Sequence, residues 1–315
     1  MWDCYTIQTV PKPVLSVDLG GTKILACVVS GRRILASAKL KTNRGKPSDV
    51  VRQIAAAGRE ALLEAGLNLG GVSIIGVAVP GAIHPATGVV LSAPNLGWKK
   101  FPAAAKLKAA FGRPVVVAND ANAGLAGECA WGALKRFRGR PVAGFFVGTG
   151  VGGAFSIGGR LVVGETGAAG EFGHITVARG GPKCGCGNTG CLEALASRSA
   201  IEKALDMGRG ELPSGKIRKA MKKGDEDVHD AVEAAADWLG VGVANVINAL
   251  NPAAIVLGGG LMEAIGDRIL HRVAASAKRH ALRAAFDACR IELSALGDDA
   301  VVVGMSELAL QAKKA

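Results

Sequence analysis

A chain of 315 residues with 49% hydrophobic composition can bury a large core, and its length suggests one large or two ordinary domains. Its 45 glycines fall singly or in short loops between apolar runs, which excludes a collagen-like period and points to tight turns. A formal net charge of +12, with KRFRGR (Lys135 to Arg140) and KIRKAMKK (Lys216 to Lys223) as basic patches, admits a polyanionic partner. A solvated basic surface is the plainer reading, one that would also draw a nucleotide's phosphates, and no nucleic-acid partner is expected. The opening MWDCYTIQTVPKP lacks a basic start followed by an apolar core, and nowhere do eighteen uncharged apolar residues run together. The expectation is a soluble cytoplasmic protein with no membrane partner. Cys4, Cys27, Cys129 and Cys289 are dispersed and do not form the framework of a disulfide-rich secreted domain.

In chain order, VLSVDLGGTKILACVVSGRRILASAKL reads as three strands separated by glycine turns, a β-meander. A helix follows, opened by Ser48 as N-cap after Pro47, with apolar residues at Val50, Val51, Ile54, Ala57, Ala61 and Leu62, and ended by Gly66. Next come a buried strand, SIIGVAV, a polar loop to about Phe101, a short alanine-rich helix and another buried strand, PVVVAND. Beyond these, AGFFVGTGVGGAFSIGGRLVVG overlays the first meander without a gap at an offset of 127 residues (148 minus 21), placing Gly21 on Gly148, Thr22 on Thr149, Gly31 on Gly158 and Arg33 on Arg160. Duplication predicts two similar α/β halves with a ligand cleft between them, although glycine-rich hairpins also match by chance.

Two glycine loops share a chemistry: Gly20, Gly21, Thr22 and Lys23 form one, and Gly148, Thr149, Gly150, Gly152 and Gly153 the other. Each can present backbone amides and a threonine hydroxyl to a phosphate, though tight hairpins give the same letters without a ligand. Neither is a Walker A sequence or a Gly-x-Gly-x-x-Gly turn into a helix, which argues against a dinucleotide oxidoreductase. PVVVAND ends in Asn119 and Asp120 at a strand's carboxyl edge, where α/β proteins hold ligands and where a helix cap also sits. NPAAIVLGGG runs a buried strand into Gly258, Gly259 and Gly260.

Taken together, VDLGGTK, VPGAIHPATGVVLSAPNLGW, NDANAGLAGE, GTGVGG, and GEFGHITV leading into CGCGNTGCLE closely resemble the ROK family of sugar kinases and sugar-responsive repressors, from about Val14 to the terminal helix. The resemblance implies a duplicated two-domain α/β fold of the actin, sugar kinase and Hsp70 (ribonuclease H-like) kind with an interdomain cleft. The domains would be 1–119, rejoined by a C-terminal helix at about 301–315, and 120–300. Repressor members carry a winged helix-turn-helix before the first meander; only thirteen residues precede it here, so a kinase member is expected.

The implied reaction is ATP-dependent phosphorylation of a hexose, foremost glucose to glucose 6-phosphate. Kinases for N-acetylmannosamine, N-acetylglucosamine or fructose share the motifs, polyphosphate is an alternative donor, and a non-catalytic sugar-binding regulator is the competing class. By the same resemblance Asp120 is the general base, Asn119, Glu171, His174 and Glu193 hold the sugar, Asp18 holds Mg²⁺, the two glycine loops hold the donor's phosphates, and Gly258 to Gly260 pass the adenosine. Sugar selectivity falls to Gly81, the segment from Ala82 to Asn95, and the surroundings of Thr166. Asp18 as a turn cap and Glu193 as an ordinary first-turn helix residue are the structural alternatives. Relatives are commonly dimers, so a homo-oligomer is expected.

Cys184, Cys186 and Cys191, with His174 ten residues before the first, give a Cys₃His set whose intervening glycines allow convergence on one tetrahedral Zn²⁺. The alternatives are a reduced, metal-free loop and a transient disulfide. Four protein ligands leave no open position, so such a zinc is structural, and binding through one ring nitrogen leaves the other as a fixed N–H donor to a sugar oxygen.

Overall fold

A computed structural model describes residues 12–43 and 45–313. Cys4 and most of the opening segment read for a targeting signal lie outside the described residues. Two compact units emerge: Met1–Gly139 with Gly159–Ala169 and Asp299–Ala315, and Arg140–Gly158 with Gly170–Asp298. The break after residue 139 replaces the boundary expected after Asn119.

The first unit opens with β1 (Val14–Leu19), β2 (Lys23–Ser30) and β3 (Arg33–Lys41), the expected meander. β1 is apolar almost throughout because it lies inside the sheet, antiparallel to β2 and parallel to β4 (Ile75–Val79). β3 is the edge strand and alternates exposed with partly covered residues. Helix α1 (Pro47–Glu64) buries Val50, Val51, Ile54, Ala57, Ala61 and Leu62 as its periodicity predicts. Its N-cap is Lys46 rather than Ser48, since Pro47 occupies the first helical turn, where its missing N–H costs no hydrogen bond.

The expected polar loop before Phe101 is instead a small antiparallel sheet, β5 (Ala82–Ile83), β6 (Val90–Ala93) and β7 (Trp98–Phe101). Its strands are too short to show a period, and they are fastened by buried Trp98, whose ring lies 4.4 Å from that of Phe101. After α2 (Ala103–Phe111), β8 (Val115–Asn119) completes the order β3-β2-β1-β4-β8.

Helix α3 (Asp120–Trp131) stays with the first unit because it packs on the returning C-terminal helix, whose bounds are Ala300–Ala312. Two glycines permit the approach: a Cβ on Gly304 would stand 1.7 Å from the Ala123 carbonyl oxygen, and one on Gly127 would stand 2.4 Å from that of Ala300. Ser16 Oγ donates to Val302 O at 2.6 Å and Trp131 Nε1 to Glu307 Oε1 at 2.8 Å, tying the helix to sheet and neighbour. Gly304→Ala is expected to cost about 3 kcal/mol through overpacking against backbone, read as a lowered Tm. An unchanged Tm would mean that the two helices are not held at this distance.

The second unit repeats the plan. β9 (Val142–Val147) pairs antiparallel with β10 (Val151–Ile157) and parallel with β12 (Ala254–Gly258), which pairs parallel with β13 (Arg290–Leu293); the short β11 (Arg160–Leu161) follows in the chain, within the segment Gly159–Ala169 that counts with the first unit. The duplication holds, but the gapless overlay does not. Leu19 faces Ile24 in the first hairpin whereas Val147 faces Val151 in the second, so the second turn is one residue tighter.

Between β11 and β12 come α4 (Glu193–Ala196), α5 (Arg198–Ala204), α6 (Ser214–Lys223) and α7 (Glu226–Leu250). After β12, α8 (Gly260–His280) packs along α7, and α9 (Arg283–Ala288) leads into β13, leaving α10 as the C-terminal helix. No described helix is long and apolar enough to cross a membrane.

Candidate functional site

In the first unit the β8–α3 junction is built from two adjacent residues with divided labour. Asn119 is the N-cap: its Oδ1 accepts the Asn122 N–H at 3.0 Å and its Nδ2 donates to Gly81 O at 3.1 Å. Gly81 has φ +98°, and a Cβ there would fall 2.1 Å from Ser92 O, so only glycine fits the position that receives Asn119. Asp120 is the first helical residue, and its Oδ1 accepts the Ala121 N–H at 2.9 Å. Burial pushes its carboxyl above the ordinary range, opposed by that N–H. The helix-cap alternative therefore falls to Asn119 and leaves Asp120 without that duty.

Asn95 is exposed on the short 3-10 turn Pro94–Leu96. Gly167, next to exposed Thr166, packs so closely on Ile83 that a Cβ would meet its carbonyl oxygen at 1.9 Å. The two segments expected to govern selectivity thus touch each other within the first unit. In the Gly20 to Lys23 turn, Gly20 N donates to Lys23 O at 2.9 Å, and Thr42 fastens the turn from behind through Gly20 O at 2.8 Å and Thr22 O at 3.0 Å. Asp18 lies near the end of β1 just before it, partly buried. Burial pushes the nearby Cys27 thiol up to about 12, with the charges of Asp299 and Asp18 adding to the effect.

In the second unit the glycine loop is shorter than its letters suggest. Gly148, Thr149 and Gly150 make the turn, whereas Gly152 and Gly153 lie inside β10, paired with Phe146 and Phe145 of β9. This corrects their placement in the phosphate-facing loop. The lack of a side chain at Gly153 serves packing instead: a Cβ there would stand 2.4 Å from Gly170 O and 2.5 Å from the Phe172 ring. Gly152 is partly covered, and strand pairing commits its backbone to the sheet.

The turn itself is gripped by the segment that follows the cysteines. Glu193, in the first turn of α4, accepts the Val151 N–H on Oε2 at 3.0 Å, and a Cβ on Gly150 would strike that oxygen at 2.2 Å. One of its carboxylate oxygens is thus committed to holding the loop. Arg198, which no sequence motif marks, donates from Nη2 to Thr149 Oγ1 at 2.7 Å and from its backbone N–H to Gly148 O at 2.9 Å. Glu171 is exposed, and its carbonyl accepts the His174 N–H at 3.0 Å.

His174, Cys184, Cys186 and Cys191 bring four donor atoms within 4.8 Å of one another. Cys184 Sγ lies 3.7 Å from His174 Nδ1, and Cys186 Sγ lies 3.7 Å from Cys191 Sγ. Zinc bonds of about 2.3 Å to sulfur and 2.0 Å to nitrogen make tetrahedral edges of about 3.5–3.8 Å, so the two 3.7 Å separations match such edges and the four donors together need only draw in slightly to hold the ion. The cysteines are free thiols, not a disulfide. Burial pushes Cys191 up to about 12 and raises Cys184, while backbone N–H donation at Asn188 lowers Cys186; a cation would offset what burial costs the thiolates.

Gly258, Gly259 and Gly260 join β12 to α8, with Gly259 at φ +88° and Gly260 as the first helical residue. Gly258 and Gly259 line a pocket of about 390 Å³, shared with Leu257, Met262 and Leu293 and rimmed by Arg218 and Lys222 of α6. Its volume lies in the range of small-ligand pockets, about 300–1,000 Å³.

The chain matches the ROK family model over residues 14–312. It is 34% identical over 308 residues to a glucokinase of Halalkalibacterium halodurans, covering 92% of each chain. It is 34% identical over 248 residues to a xylose repressor of Caldicellulosiruptor bescii, covering 74% of this chain and 61% of that one. Among solved structures, a ROK family glucokinase from Streptomyces griseus in complex with glucose and AMPPNP superposes with a TM-score of 0.81 at 32% identity, covering 95% of this chain and 99% of that one.

Proposed function

This chain belongs to the ROK family, and from that premise we propose that it is a hexokinase that phosphorylates glucose with ATP, Asp120 acting as general base. The observation that carries the reading is the β8–α3 junction, where Asn119 supplies the helix cap and Asp120 stands beside it as a partly buried carboxylate that does not have that duty. A sugar hydroxyl is too weak an acid to be ionised by a carboxylate beforehand. Asp120 would orient the hydroxyl and take its proton as the new P–O bond forms, with positioning supplying most of the rate.

The donor is assigned from the pocket at Gly258 and Gly259. Leu257, Met262 and Leu293 suit a base while Arg218, Lys222 and Arg268 suit phosphates, and the apolar part of the lining, which a bare polyanion would not use, favours a nucleotide over polyphosphate. Asp18 would hold Mg²⁺, whose charge neutralises the donor's phosphates during transfer. Glu171, His174 and Glu193 would accept or donate hydrogen bonds to sugar hydroxyls, and His174 bound to zinc through Nδ1 would keep Nε2–H as a fixed donor. The likeness to glucokinases at nearly full length supports an enzyme.

A coupled ADP-release screen over hexoses and hexosamines, repeated with polyphosphate by direct product detection, tests this reading. Glucose with ATP is expected to give the highest kcat/KM. An N-acetylhexosamine better by about tenfold, or 1.4 kcal/mol of transition-state binding, would move the assignment to that sugar. Sugar binding with no turnover under either donor would favour the regulator.

A further inference from the structure

Arg198 lies outside every motif that pointed to the family, yet it holds the second glycine loop by two hydrogen bonds. Its guanidinium reaches Thr149 Oγ1 at 2.7 Å, and its backbone N–H holds Gly148 O at 2.9 Å. Its Nε stands 3.6 Å from Glu202 Oε1, within ion-pair range. Glu202 is buried at 1% exposure and is itself fixed, its Oε2 accepting the Gly210 N–H at 3.0 Å and its Oε1 the Leu212 N–H at 3.2 Å. A buried carboxylate with two backbone donors and a guanidinium is a rigid anchor, because each partner it lost would leave a costly unpaired charge.

The consequence lies in the hydroxyl of Thr149. A threonine oxygen offers one proton and two lone pairs, and arginine can only donate. With Arg198 occupying a lone pair, the Thr149 proton must be given to some other acceptor. The loop lies at the end of β9, and a Cβ placed on neighbouring Gly148 meets no atom within 4 Å, which leaves room for a ligand beside Thr149. An anionic oxygen lying against the loop would be the natural acceptor, and the Arg198 charge would strengthen that bond. Glu202 extends the same tie in the other direction, since the Leu212 it holds immediately precedes Pro213 and α6, whose Arg218 and Lys222 rim the pocket at Gly258.

We propose that Arg198, anchored by Glu202, is a positioning residue for the phosphoryl donor: it aims the Thr149 hydroxyl at a phosphate oxygen and keeps the loop in register with α6. This rests on the donor reading given above and adds to it a residue that need not touch the sugar.

The test is a double-mutant cycle on full-length protein, with ATP affinity measured by calorimetry and KM for ATP and for glucose by steady-state assay. Arg198→Met and Thr149→Val are each expected to weaken ATP binding by about tenfold, with glucose affinity kept, as loss of a charge-assisted hydrogen bond would do. The pair together should lose no more than either alone, because both remove the same aimed hydroxyl. Arg198→Lys, which keeps the charge, should recover part of the loss, and it replaces Arg198→Met in the cycle should that variant not fold.

Unchanged ATP affinity in a folded Arg198 variant, or losses that multiply in the double variant, would overturn the proposal. A wild type that binds ATP but phosphorylates no sugar would overturn the kinase reading alone and leave the cycle readable by calorimetry. A wild type that binds no ATP would overturn both.

Discussion

Asp120→Asn is expected to reduce kcat by about two to four orders of magnitude while leaving sugar affinity intact, since amide and carboxylate share a shape and only the carboxylate can take a proton. The structure makes this a clean experiment. The Asn119 side chain caps α3, and the Ala121 N–H that Asp120 accepts at 2.9 Å can be accepted equally by an amide oxygen. Removing the charge should therefore not unfold the helix start. Calorimetry that showed normal sugar binding beside a near-normal kcat would reduce Asp120 to a helix residue with no part in catalysis.

The same carboxyl gives a signed pH dependence. Burial raises its folded-state pKa, so the protonated form is the one the fold prefers. Its contribution to stability is present in full below the unfolded pKa and is lost as pH rises through the raised folded value. At neutral pH the ionised group thus costs stability, and Asp120→Asn should melt no lower than the wild type. Activity runs the other way: a base works only when ionised, so kcat should fall on the acid side at a pH above the ordinary carboxylate range. The acid limb should vanish from the residual activity of the Asn variant.

Much of this was legible in the sequence because glycine beside polar residues marks tight turns in most tertiary contexts. The two meanders, the strand into Asn119 and the Cys₃His spacing rest on letters that have few structural meanings. What escaped was of another kind. Strands β5 to β7 are held by pairing and by Trp98, which short segments cannot announce through a period. The one-residue difference between the hairpins is invisible to a glycine overlay, because Gly20 and Gly21 are both glycines and either can be set on Gly148. For the same reason Gly152 and Gly153 pass for loop residues in the letters, although they sit in β10 where a glycine makes room for a neighbour. The unit boundary moved because α3 needs the closely packed face of α10, a contact between residues far apart in the chain. Arg198 was missed because an arginine at a helix start reads as surface charge, and only the fold reveals the buried Glu202 and Thr149 on either side of it.

Removing the metal should weaken sugar affinity by about tenfold or more with ATP binding largely kept, the scale on which losing a group that orients a ligating residue costs a metal site its affinity or activity. The segment from Ile175 to Leu192 has only isolated bridges, Thr176 with Cys191 and Lys183 with Thr189, and most of its cysteine loop is exposed. Its ends are packed through Ile175, Val177 and Leu192, but the loop between them has little apolar burial to fix it, and a bound ion of the Cys₃His type can supply that free energy instead, on the order of 10 kcal/mol in small zinc-dependent folds. His174 lies at one end of the cluster and Glu193 two residues beyond its last cysteine, so loss of the ion frees both groups assigned to the sugar. The glycine loop would keep its second hold, because the contacts of Arg198 to Thr149 and Gly148 do not pass through the cysteines. Elemental analysis should give roughly one zinc per chain for a closed four-ligand site. Chelation, or Cys184→Ser with Cys186→Ser, should then separate the two substrates in calorimetry. Unchanged sugar affinity in a folded, zinc-free protein would sink the idea that the metal holds the sugar-reading residues in place.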